Sequence, residues 1–185
     1  MYIELYANHS GVTLSTITKS WSIIPIALSG YVTASLFALF LFFAYSKGRQ
    51  RLGLQVTTLL AVLSLVLFVR NGFGIMWLLG FITLTVVMIT LAPKWLKDFY
   101  YLLLAFICLE ESVFGSISLV IYALQDPAQA GDATNLSLHT SIPSLIWALG
   151  FSLFSLWCAK RSVQAFLKRS KRPASSISAR PYAQD

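Results

Sequence analysis

Charge is scarce in this sequence: Asp, Glu, Lys and Arg make up 11% of 185 residues, against a hydrophobic fraction of 57%. Soluble domains carry about 25% charged residues, so a water-soluble globule is excluded. Cysteine is limited to Cys108 and Cys158, both inside long apolar segments, which excludes a disulfide framework, a C-x-x-C redox pair and a cysteine zinc site. Histidine is equally sparse, at His9 and His139, and no two histidines stand one helical turn apart as in H-E-x-x-H. A Walker loop, a G-x-S-x-G elbow and a dinucleotide fingerprint are also missing. The first twenty residues have no apolar core preceded by basic residues, so no secretory signal peptide is expected. Residue chemistry alone therefore leaves the function open.

What the chain does have is five apolar segments, Ile23 to Tyr45, Leu52 to Val69, Phe73 to Ala92, Tyr100 to Leu124 and Pro143 to Ala159. Each has the roughly 17 to 25 residues that a helix needs to cross a bilayer core. The expected fold is an all-α polytopic membrane protein of about five transmembrane helices, with a short N-terminal β-hairpin. Its expected divisions are an extracytoplasmic hairpin segment over 1–20, the helical membrane domain over 21–167, and a basic, disordered cytoplasmic tail over 168–185.

The basic residues orient this bundle. With five crossings, all fourteen Lys and Arg residues except Lys19 and Arg70 fall on one side. The largest loop on the other side, Gln125 to Ile142, contains Asp126 and Asp132 but no Lys or Arg. Because positive residues stay cytoplasmic, the N-terminus is expected outside and the C-terminus inside. The net charge of +7 is spread over positions next to the spans, which fits anionic lipid and topogenic contacts rather than nucleic acid. The expected partner is the lipid bilayer, together with a membrane-protein partner or substrate.

At the N-terminus, the β-favouring runs Tyr2 to Tyr6 and Val12 to Thr18 flank the turn-forming cluster Ala7-Asn8-His9-Ser10-Gly11, hence the hairpin. A lone two-stranded hairpin is barely stable, so it needs either the membrane interface or another segment. Trp21, Tyr31, Tyr45, Trp95, Tyr100, Tyr101 and Trp157 stand near span ends and read as an interfacial aromatic belt.

Glu110 and Glu111 interrupt the fourth span near its middle. An acid at that depth costs at least about 2.5 kcal/mol on insertion scales, which makes it a functional candidate as a polar wall or proton carrier. The alternative is a protonated group hydrogen-bonded to its neighbours. Adjacent helical residues point about 100° apart, so the two acids should not share one site. Arg70-Asn71-Gly72 joins the second and third spans, with Gly72 able to supply the positive φ that ends a helix. Arg70 either reaches the outer interface or pairs with Asp126 or Asp132. His9, His139, Asp126 and Asp132 share the outer side on this topology, but no helical spacing organises them into a metal site.

The order of several local features resembles the site-2-protease-like intramembrane zinc metallopeptidases of bacterial type. Ile3-Glu4-Leu5, Ser10-Gly11-Val12-Thr13 and Ser29-Gly30-Tyr31 are similar to the region following that family's H-E-x-x-H helix. Arg70-Asn71 with Phe73-Gly74 resembles its second helical connection, and Gly131-Asp132-Ala133 followed by Thr140-Ser141-Ile142-Pro143 and Trp147-Ala148 resembles its Ser-Asp-Ala and Thr-Gly-Ile-Pro-Ala stretch. The similarity runs from about Tyr2 to Leu167. It implies a membrane-embedded zinc peptidase in which Asp132 stands at a family-like acidic position, open to a role as a metal ligand. Three departures stand beside it: the H-E-x-x-H helix is not in this sequence, Ser141 replaces a family glycine, and His139 stands where an apolar residue is usual. The chain thus reads as truncated or degenerate and inactive as written, with no cofactor of its own and zinc only if an H-E-x-x-H helix lies upstream. The strand-like Tyr2 to Tyr6, in a hairpin without an evident further partner, favours truncation. The alternatives are a non-enzymatic membrane subunit or scaffold and a small transporter. The latter lacks the internal repeat common in transporters.

Overall fold

A computed structural model describes residues 2–5, 11–14, 23–126 and 131–170. It has six helices: α1 (Ile23–Ser46), α2 (Gln50–Leu67), α3 (Gly72–Thr90), α4 (Lys94–Gln125), α5 (Gly131–Thr140) and α6 (Ser144–Ser170). Helices α1 to α4 are each long and apolar enough to cross a membrane. In α1 and α3 the side chains are apolar around the whole circumference rather than along one stripe, the pattern of helices that meet protein on one side and lipid on the other. Accordingly Met76, Trp77 and Leu91 are among the large apolar side chains exposed on the bundle surface. The chain is a multi-pass membrane protein.

Two elements differ from the sequence expectation. The segment taken as the largest loop contains α5, whose Ala133 and Leu136, three residues apart, are fully buried. One such pair is too short a pattern to stand out against Asp132, Asn135 and His139 around it. Helix α6 also continues to Ser170, three residues past the expected boundary at 167. Its last turns pack on α1, burying Ala165 against Ala38 and Phe42.

Helices α1, α4 and α6 form the centre of the bundle. Their contacts use small residues, among them Ala38, Ala105, Ser116, Ser155, Cys158 and Ser162, all fully buried or nearly so. Small side chains allow the close helix approach that holds membrane bundles together. Polar links fasten the same seam: the Ser116 and Ser155 hydroxyls lie 2.6 Å apart, and Ser152 Oγ donates to the Ser116 carbonyl at 2.9 Å. Tyr101 Oη donates across to the Leu41 carbonyl at 2.6 Å. Tyr45 stacks on both Tyr101 and Phe166, so it is part of this packing rather than an interfacial anchor alone.

Helices α2 and α3 form an antiparallel pair beside this centre. Gly53 is buried where α2 meets α4, and a Cβ there would overlap the Tyr101 ring. Gly72, expected to turn the chain with a positive φ, instead opens α3. The turn is made by Asn71, extended at φ −96°, ψ 148°. Just before this turn, β1 (Tyr2–Leu5) runs parallel to the connection at Val69, with Ile3 N–H donating to the Phe68 carbonyl at 2.9 Å and Arg70 N–H to the Ile3 carbonyl at 3.3 Å. On its other edge β1 pairs antiparallel with β2 (Gly11–Leu14). The turn expected between them, and His9 within it, lie outside the described residues.

Candidate functional site

Helix α5 is the element that builds the site. Gly131 opens it with φ 51°, a left-handed conformation that glycine adopts without steric cost, and Asp132 follows in the first turn. Ala133 and Leu136 anchor the helix in a cluster with Ala27, Leu119, Ala123, Ala148 and Phe151. At its other end the Trp147 indole donates to Thr140 Oγ1 at 3.1 Å, tying α5 to the start of α6. Phe151 in turn stacks on Tyr31 with ring centroids 5.0 Å apart, which fixes the Tyr31 side chain of α1.

These contacts define a cavity of about 400 Å³ between α1, α4 and α5. Its polar lining is Tyr31 from α1, Cys108, Glu111 and Ser112 from α4, and Asp132 from α5. Its apolar walls include Phe37 and Ile107. Ile107 and Glu111 are exposed on the bundle surface, so the cavity opens at the rim that they form. Burial pushes the Asp132 carboxyl above the ordinary carboxylate range, partly offset by a hydrogen bond from the Asn135 side chain. The arrangement places two carboxylates, a phenol and a hydroxyl at the border of an apolar bundle. Such a set can accept hydrogen bonds from a polar backbone or hold a cation.

The structure separates the expected site residues. Glu111 lines the cavity and Glu110 does not. Glu110 is exposed on the surface. Arg70 is exposed, and its guanidinium donates to the Leu67 carbonyl at 3.2 Å. Asn71 caps the start of α3 without a side-chain cap bond. His139 is exposed at the far end of α5 from Asp132. Tyr31, taken from the sequence as interfacial, and Cys108, taken as a span residue with no part in a redox pair or zinc site, both line the cavity. Only the Ser29-Gly30-Tyr31 resemblance pointed toward the first, and nothing in the sequence pointed toward the second.

A catalytic zinc site uses three protein ligands, and among the described residues no three His, Cys, Asp or Glu side chains come together to hold a metal. The described residues alone therefore do not fit zinc.

The architecture is that of a polytopic membrane protein with acids gathered at a cavity in its bundle. A family model described as Peptidase M50B-like matches residues 1–160, and the chain belongs to that family, within the site-2 proteases. No curated protein and no solved structure matches it.

Proposed function

We propose that this chain supplies the membrane bundle and one carboxylate ligand, Asp132, of an intramembrane metallopeptidase site, and that these 185 residues do not hydrolyse peptide bonds by themselves. The observation that carries the reading is the convergence of Glu111 and Asp132, from two helices, on one cavity with an open rim. A transmembrane substrate must unwind before its backbone can be cut, and the freed N–H groups have no water to bond in the bilayer core. Glu111, Ser112 and Tyr31 provide acceptors where such a segment would enter. The remaining metal donors would come from a helix of the H-E-x-x-H type, which puts two histidines on one helical face and is not in this sequence.

In this reading α6 is the fifth crossing, because it packs along both α1 and α4, and its basic end reaches the end of α1. The N-terminus and α5 lie on the extracytoplasmic side and the basic tail in the cytoplasm, by the distribution of Lys and Arg.

Metal analysis of the purified chain tests the reading. Added zinc should not be retained at one per chain, and no membrane substrate should be cleaved. Co-expression with a membrane segment carrying H-E-x-x-H should give stoichiometric zinc that Asp132→Asn abolishes and Glu110→Gln leaves. Tight zinc on the chain alone, or zinc indifferent to Asp132, would remove the proposal.

A further inference from the structure

A second cavity lies at the opposite functional pole of the sequence pattern, where the end of α1 meets the last turns of α6. Its volume is about 290 Å³, and its lining includes Phe43, Lys47, Arg161, Ala165, Lys168 and Arg169. Four of these are cations, and no acidic residue lines the cavity. Like charges gathered this closely repel one another, so the arrangement costs free energy unless an anion joins it.

Two of the cations are held in place. The Arg169 guanidinium lies 4.1 Å from the centre of the Tyr45 ring and donates to the Tyr45 carbonyl. The Arg161 guanidinium sits over Trp157 at 5.6 Å. Fixed guanidinium groups lose little freedom on meeting an anion, and their planar forks match phosphate oxygens. Phe43 of the lining is 47% exposed, and Leu36, two turns earlier on the same side of α1, is 46% exposed. Together they form a track along the membrane face of α1 that starts at the cationic cluster. A free phosphate has no use for such a track, whereas a lipid has a phosphate at one end and chains at the other.

We propose that the α1–α6 cavity binds the phosphate headgroup of an anionic membrane lipid, with an acyl chain lying over Phe43 and Leu36. Basic pockets between membrane helices recognise headgroups in this way. The proposal requires only that the bundle sits in a bilayer, and it is independent of the cavity at Asp132 and of any peptidase activity.

The test uses the purified full chain in a neutral detergent, with binding read by native mass spectrometry and by thermal unfolding. Phosphatidylglycerol should bind and raise the Tm, while phosphatidylcholine and inorganic phosphate at equal concentration should not. Each basic residue removed near a lipid headgroup weakens binding by roughly fivefold, so Arg161→Gln with Lys168→Gln should weaken phosphatidylglycerol binding by about 25-fold. Both side chains are exposed and their removal relieves like-charge repulsion, so the lipid-free Tm should not fall below the parent value. The same charge removed elsewhere, by Lys94→Gln with Lys97→Gln, should leave binding within about twofold of the parent. Three results would overturn the proposal: equal binding of phosphatidylcholine, a phosphate effect as large as that of the lipid, or equal losses in the two double variants. A double variant that failed to fold would be replaced by Phe43→Ser, which should weaken lipid binding without changing the response to phosphate. An unchanged affinity in that variant would also count against the proposal.

Discussion

Replacing Gly53 by Ala should destabilise the protein, although alanine is the better helix former by about 1 kcal/mol. The added Cβ would lie 2.6 Å from Tyr101 Cε2 and 2.9 Å from Cζ, where carbon atoms normally keep about 3.5–4.0 Å. The outcome depends on whether Tyr101 can move aside. It is 1% exposed, its hydroxyl is bonded to the Leu41 carbonyl, and its ring stacks on Tyr45 at 6.2 Å. Overpacking costs about 1–3 kcal/mol, and displacing the hydroxyl forfeits a hydrogen bond of about 1 kcal/mol. Set against the gain in helix propensity, the net loss is roughly 1–3 kcal/mol. Equilibrium unfolding in mixed micelles measures it. Tyr101→Phe removes the atom nearest the new methyl, so the cost of Gly53→Ala should be smaller in that background, a coupling that a double-mutant cycle reads directly. A Gly53→Ala protein as stable as the parent would show that α2 and α4 do not meet at this point as described.

Ser141 adopts φ 57°, and a non-glycine residue pays about 1–2 kcal/mol in that region. Ser141→Gly should therefore raise stability by about 0.5–1 kcal/mol after the extra backbone entropy of glycine is counted, and a lowered melting temperature would contradict this. Glu111→Leu should alter detergent yield and stability, whereas Glu110→Leu should be neutral or stabilising, because only Glu111 faces the cavity. Parental behaviour in both variants would leave neither acid with a specific role. Membrane-impermeant thiol labelling should reach Gln129→Cys from outside and Lys171→Cys only from the cytoplasm, and reaction of both from one side would refute five crossings.

The sequence by itself determined that this is a membrane bundle, because span length and the rarity of charge are set by bilayer thickness and dielectric, which act on each segment separately. It also marked Glu110, Glu111 and Asp132, since an acid near or within an apolar run is visible without knowing its neighbours. The order of short motifs from Ile3 to Ala148 carried the family, which the match over residues 1–160 shows. What only the tertiary structure decided is which groups meet. A 100° step separates Glu110 from Glu111 on any helix, but the packing of α1 and α5 against α4 chooses Glu111 for the cavity. The same holds for Gly53, whose need to lack a side chain arises from Tyr101 on another helix, and for the Phe68 to Arg70 connection, which pairs with Ile3. Local pattern reports what a segment needs from its surroundings. Only packing supplies the particular neighbour that meets the need.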